Sequence, residues 1–195
     1  MKKLLLSGLV MLGLAVGAKA QKGTTLLYGN FDFQTRKDYS QIGLNPGVGF
    51  GLNDNWTVGA NLGMYAGKGQ YPGFQAGPFV RYTKKISDIF SVYGQLNAGY
   101  SNVAGTFKSG GAIMSNFGGN PAVSSFSQGK GNAFGANITP AVFINVKNGF
   151  GINVNFGGIG FESYKPNGGS SSNNFGITFG QGMGLGISKT FGGKK

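Results

Sequence analysis

The stretch "GPFVRYTKKISDIFSVYGQLNAGY", residues 77–100, holds two alternating runs around a charged break. In the first, Pro78, Val80 and Tyr82 fall on one side, while Gly77, Phe79, Arg81 and Thr83 fall on the other. In the second, Ser91, Tyr93, Gln95, Asn97 and Gly99 share a polar side. A side-chain period of two is that of a strand with two unlike faces. Lys84, Lys85 and Asp88 lie in the polar break that joins the runs as a hairpin. The first run nevertheless contains a proline, which cannot donate to a ladder, and an arginine among apolar neighbours.

The same period recurs along the chain. "TLLYGNFDFQ" sets Leu27, Gly29, Phe31 and Phe33 against Tyr28, Asn30, Asp32 and Gln34. "QIGLNPGVGFGL" sets Ile42, Leu44, Pro46, Val48, Phe50 and Leu52 against Gln41, Asn45 and glycines. "TVGANLGMYA", "AFGANITPAVFI", "FGINVNFGG" and "FGITFGQGMGLGISKTF" behave alike, the last interrupted on its apolar side by Gln181, where a bulge is expected. The count is eight strands, each of about ten residues.

The connections alternate in length. Short polar turns, "NDN", "KKISD" and "NVKNG", follow the second, fourth and sixth strands. Longer segments, "TRKDYS", "GKGQYP", residues 103–132 and "ESYKPNGGSSSNN", follow the first, third, fifth and seventh. This alternation belongs to membrane barrels, whose short turns lie on the periplasmic side. The apolar faces are rich in Phe, Leu, Ile and Val, and the opposite faces in Gly, Asn, Ser and Thr. If the apolar faces met in a core, the outside would be glycine-rich, almost uncharged and poorly soluble. If they meet lipid, a small polar lumen follows, and the sheet must close because lipid satisfies no backbone groups. The sequence therefore predicts an all-β fold, an eight-stranded antiparallel transmembrane up-and-down β-barrel.

Composition and the ends agree. Lys2 and Lys3, an apolar run from Leu4 to Val16, and Ala18-Lys19-Ala20 read as a cleaved secretory signal peptide over 1–20. The barrel domain is then 21–195, with the outer membrane as its destination. No cysteine is present, so a lipid anchor through cysteine, a disulfide framework and a thiolate metal site are excluded. Net charge is +12, falling to +9 once Lys2, Lys3 and Lys19 leave with the signal. The cations are scattered rather than striped, and export argues against a nucleic-acid partner. The 39 glycines disfavour helices, while 17 Phe and 8 Tyr disfavour disorder.

"PGVGF" from Pro46, "PFVRY" from Pro78 and "PAVFI" from Pro140 share a Pro-x-Val-x pattern, each about seven residues before a short turn. Outward-facing prolines recurring at one height predict bulges or local bends there. With "NPGVGFGLNDNWTVGANLGM" and the opening stretch, these strand-turn-strand segments resemble the small eight-stranded outer-membrane β-barrel family of Gram-negative bacteria, the OmpA- and OmpX-like barrels and their porin-like members. The resemblance spans the mature chain. It implies a cell-envelope barrel inserted by the barrel-assembly machinery, in contact with outer-membrane lipid and lipopolysaccharide. The family commonly ends on an aromatic residue, whereas here Phe191 is followed by Gly-Gly-Lys-Lys.

No catalytic, cofactor-binding or metal residue can be assigned. Histidine is absent along with cysteine, and the five acids, Asp32, Asp38, Asp54, Asp88 and Glu162, form no pair spaced for acid/base work. Asp38 and Glu162 are expected in or beside long loops, leaving Asp32 and Arg81 as the charges facing the lumen within strands. The expected heights of Asp32 and Arg81 differ by about 13 Å, so Tyr93 or turn carbonyls are better placed to partner Arg81. Arg81, Asp32 and Tyr93 are thus the lumen candidates. Arg36, Lys37, Lys68, Lys108, Lys130 and Lys165 lie toward the long-loop end, where they would face the phosphates of lipopolysaccharide. The expected function is a non-enzymatic, monomeric structural or narrow porin-like envelope protein without cofactors. The alternative is a surface adhesin or partner-binding protein acting through the long third loop.

Overall fold

The computed structural model describes residues 23–36, 39–68, 73–106, 113–114, 124–125 and 128–192. The expected signal segment lies outside these residues. Eight strands close a barrel: β1 (Thr25–Arg36), β2 (Tyr39–Gly51), β3 (Trp56–Lys68), β4 (Gly73–Lys85), β5 (Phe90–Thr106), β8 (Gln128–Lys147), β9 (Phe150–Pro166) and β10 (Ser172–Phe191). Two short strands, β6 (Ile113–Met114) and β7 (Ser124–Ser125), pair with each other between β5 and β8. Every barrel strand runs antiparallel to its neighbours. The barrel closes where β1 meets β10, from Thr25↔Phe191 to Asn30↔Gly186.

The two sides of the sheet are inverted relative to a water-soluble protein. Among the described residues, fourteen polar or charged residues are buried against six apolar ones. Leu27, Leu62, Leu96, Ile138 and Ile177 meanwhile stand on the outside, each roughly half exposed or more. Aromatic rings mark two levels on this outer face. Trp56 and Tyr82, 4.9 Å apart, lie near the short-turn end, and Phe74 and Tyr100, 6.4 Å apart, lie near the other. Tyr82 and Phe74 are eight residues apart on one tilted strand, or about 19 Å of height, close to the apolar band of a membrane barrel.

The short-turn end is built from local chemistry. The 52–55 turn is held by Asn53 Oδ1, which accepts from the backbone N–H of Asn55 and Trp56. The 86–89 turn uses Ser87 Oγ in the same way, accepting from Ile89 and Phe90. Between β8 and β9 only Asn148 and Gly149 remain, at φ 49° and 75°, the two left-handed positions of a hairpin turn that Asn-Gly favours. Lys85 Nζ donates to Asp88 Oδ1 at 2.6 Å, and that hydrogen bond, with the lysine's charge, holds the Asp88 carboxyl below its usual range. Thr24 O accepts from Gly51 N and Gly149 O from Thr190 N, so both ends of the barrel chain sit with the short turns.

Three expectations are corrected. The barrel strands run from 12 to 20 residues, not about ten. β1 and β2 pair up to Arg36↔Tyr39, and β9 and β10 up to Tyr164↔Ser172, so most of "TRKDYS" and "ESYKPNGGSSSNN" is strand, with Pro166 ending β9 rather than lying in a loop. A ladder needs only backbone groups, so pairing continues after apolar alternation stops. The prolines also act less uniformly than expected. Partners skip from Leu44↔Met64 to Gly47↔Asn61 around Pro46, and from Ala76↔Tyr100 to Phe79↔Asn97 around Pro78, with the register unchanged. A true register shift accompanies Pro140 alone, where β9 carries an extra residue near Gly157, at φ 115°. In all three cases the interrupted ladder is the one toward the strand after the short turn, where the missing N–H would have donated. The irregularity expected at Gln181 is present as a shift between Phe179 and Gly184.

Candidate functional site

The lumen gathers the polar halves of the alternating strands, with Arg81 among its buried charges. On β4 it is registered between Thr57 of β3 and Gln95 of β5. Its side chain is 5 % exposed. Nε donates to Gln95 Oε1 at 2.7 Å. The guanidinium carbon lies 4.2 Å from the ring centre of Tyr93, 4.9 Å from that of Tyr28 and 5.8 Å from that of Phe79. Tyr28 and Phe79 meet edge to face at 5.5 Å. A desolvated guanidinium over aromatic faces is attracted by the ring quadrupoles, and three rings from β1, β4 and β5 enclose it here.

From this cage a chain of amides crosses the barrel. Gln95 Nε2 donates to Tyr28 Oη at 3.2 Å and to Asn97 Oδ1 at 2.7 Å. Asn61 Nδ2 donates to Asn97 Oδ1 at 3.0 Å and to Tyr28 Oη at 3.4 Å. Asn97 is fully buried and passes the chain on, its Nδ2 donating to Asn137 Oδ1 at 2.9 Å. On the other side of the cage, Tyr93 Oη donates to Asn153 Oδ1 at 3.2 Å. Above, Gln75 Nε2 donates to Asn45 Oδ1 at 3.2 Å. Side chains from β1, β3, β4, β5, β8 and β9 therefore interlock across the lumen. An eight-stranded barrel is just wide enough to be filled in this way.

The candidates read from the sequence are distributed as follows. Arg81 and Tyr93 come together in the cage. Asp32 lies in the backbone of β1 opposite Gly43, four residues or about 13 Å of strand beyond Tyr28; its side chain is outside the described residues. The expectation that Asp32 and Arg81 are the in-strand lumen charges is corrected by Glu162. It lies within β9, opposite Gly135 and Asn174, and is 1 % exposed. Apolar alternation ends at Phe161, which suggests a loop beside Glu162, yet strand geometry still turns Phe161 out and Glu162 in. Continuing the register from Arg81 through Gln95 and Thr139 reaches Gly158, and Glu162 is four residues, about 13 Å, farther along β9. Gln95, the actual hydrogen-bond partner of Arg81, was not singled out.

The outer cations lie opposite the short-turn end. Arg36 ends β1 facing Tyr39, Lys68 ends β3 facing Ser40, and Lys130 of β8 faces Ala104. Lys165 of β9 is exposed and pairs with Asn132, two residues from Lys130. Lys37 and Lys108 lie outside the described residues, as do most positions of the long third loop.

No protein-family model matches the sequence, and neither does any curated protein. Among solved structures, the N-terminal β-barrel domain of Pseudomonas aeruginosa OprF is similar, with a TM-score of 0.50 and 13 % identity over 88 % of this chain and 98 % of that one. The outer membrane protein Ail of Yersinia pestis has a TM-score of 0.39 and 15 % identity over 88 % of this chain and 100 % of that one. The likeness to the OprF domain is one of fold: the chain is a closed, eight-stranded barrel of the outer-membrane type.

Proposed function

We propose that the protein is a non-enzymatic structural barrel of the outer membrane whose lumen stays closed in the resting state. One observation carries this: the cage and amide chain that cross the lumen, with Phe79, Gln75, Arg81 and Asn97 all at 5 % exposure or less. A broad diffusion pore is incompatible with such filling, and the absence of histidine and cysteine from the chain removes the usual hydrolytic nucleophile and base pairs. The apolar belt and paired aromatic levels support a membrane-spanning position, with the signal-like leader directing export. In that setting Arg36, Lys37, Lys68, Lys108, Lys130 and Lys165 face lipopolysaccharide phosphates, and the chain is a monomer delivered by the barrel-assembly machinery.

The test is electrical. Purified protein reconstituted in planar bilayers is expected to give no discrete openings at moderate voltage. Regular ion-selective openings that disappear in Arg81→Ala would replace the closed barrel with a narrow pore. The pairing of β6 with β7 gives the third long connection structure of its own and favours a second reading, surface binding through that loop. Binding to host or cell surfaces that vanishes on deleting 109–129, with the barrel still folded, is the outcome that would establish it.

A further inference from the structure

Arg81 is a buried cation whose charge the surrounding protein leaves uncompensated. No carboxylate of the described residues is ion-paired with it, and its one hydrogen-bond acceptor among them is Gln95 Oε1. The four N–H groups of its two terminal nitrogens have no acceptor among the described residues, only the three rings. The same network holds further spare donors. Tyr28 Oη accepts from Gln95 and Asn61 but donates to no described residue, and buried Asn153 Nδ2 has no hydrogen-bond partner. Asn61 Oδ1, an acceptor of the same network, is also buried without a partner. A buried charge is tolerated when it is paired, and no described carboxylate pairs this one.

We propose that the lumen of this barrel binds a small monovalent inorganic anion, a halide such as chloride, against the Arg81 guanidinium. Water can accept from the guanidinium but leaves its charge unbalanced. An anion accepts from the terminal N–H groups of Arg81 and balances its charge. A halide is about the size of a water molecule, which suits a lumen filled by side chains and excludes larger organic anions. The rings of Tyr93, Tyr28 and Phe79 flank the guanidinium and lower the local dielectric, which strengthens an ion pair there. The inference rests on the geometry of the lumen and is independent of whether the barrel conducts.

The test uses the full mature chain refolded into detergent micelles or nanodiscs in gluconate buffer, with bromide titrated in at constant ionic strength. The thermal midpoint, read as the shift from the compact to the unfolded band on gels, is expected to rise saturably by a few degrees. That rise should be lost in Arg81→Gln. No bromide dependence, or the same dependence in Arg81→Gln, overturns the proposal and leaves hydration water as the partner of the guanidinium. Because Arg81→Gln can fail to fold, a second measurement uses the unaltered protein. Crystals grown in bromide should show an anomalous peak within about 3.5 Å of the Arg81 terminal nitrogens, the reach of a charge-assisted contact. A clean map there without a peak also overturns it.

Discussion

Truncating Arg81 to alanine tests the lumen more directly than any other change. The substitution removes a charge-assisted hydrogen bond to Gln95, worth about 1.5–3 kcal/mol. It also removes the contacts with the rings of Tyr93, Tyr28 and Phe79, worth about 2 kcal/mol for a desolvated cation. Gln95 Oε1 is left buried without its donor, adding about 1 kcal/mol. Opposing these, a buried charge disappears and its desolvation cost is recovered, a gain of several kcal/mol in the fully dry limit. The balance expected is a net loss of about 3 kcal/mol, the upper end of ordinary single-residue losses.

Arg81→Met separates charge from packing. It keeps most of the stem between the rings while removing the charge, so it should cost about 1–2 kcal/mol less than alanine. Equilibrium urea unfolding in lipid vesicles, followed by the emission of Trp56 on the outer face, measures both. Trp56 is the single tryptophan and is 44 % exposed toward the lipid side, so its spectrum reports loss of the membrane-inserted state. If both variants unfold within about 0.5 kcal/mol of the unaltered protein, as a surface change would, the cage does not stabilise the barrel. If methionine costs more than alanine, the accounting of charge against packing is wrong.

Other changes probe the remaining elements. Leu62→Arg places a charge on the outer face near mid-height and should cost about 2–4 kcal/mol in vesicles, whereas a water-facing site would be indifferent. Gly77→Ala should destabilise by about 1–3 kcal/mol, because an added methyl would overlap the Ala98 carbonyl; Gly94→Ala enters open space and should stay within about 0.5 kcal/mol. Asn148→Ala forces an ordinary residue into the left-handed region at φ 49° and should cost about 1 kcal/mol, read as a shift in urea midpoint.

How much of this was legible in the sequence depends on what each feature requires. Val80 outward and Arg81 inward follow from a period of two, and that period holds wherever one face meets lipid and the other does not. Gln95 as the partner of Arg81 was within reach. A five-residue connection from Lys85↔Ser91 carries the register back to Arg81↔Gln95, and only the turn length was needed. Glu162 was not legible, because beyond Phe161 both faces turn polar while the backbone ladder continues. Tyr28 in the cage was not legible either. It comes from β1, three strands away from Arg81 around the wall, and it meets the guanidinium only because the closed barrel brings opposite walls within side-chain reach.

The glycine content and the side-chain packing of the lumen have a single physical cause. A barrel of eight strands has little interior, and a full-sized side chain at every inward position would overfill it. An added methyl at Gly47 would overlap the ring of Tyr28, and one at Gly59 would press on that of Phe79. At Gly63 it would meet Gln75, and at Gly184 it would meet Asn155. In each case a large inward side chain lies over a glycine of the adjoining strand. The lumen is therefore packed by a minority of its positions, with the glycines supplying the floor on which those side chains rest. Arg81 is held against rings that can lean inward only because Gly47 and Gly59 leave them room. Charge placement in the lumen thus depends on residues that carry no side chain at all.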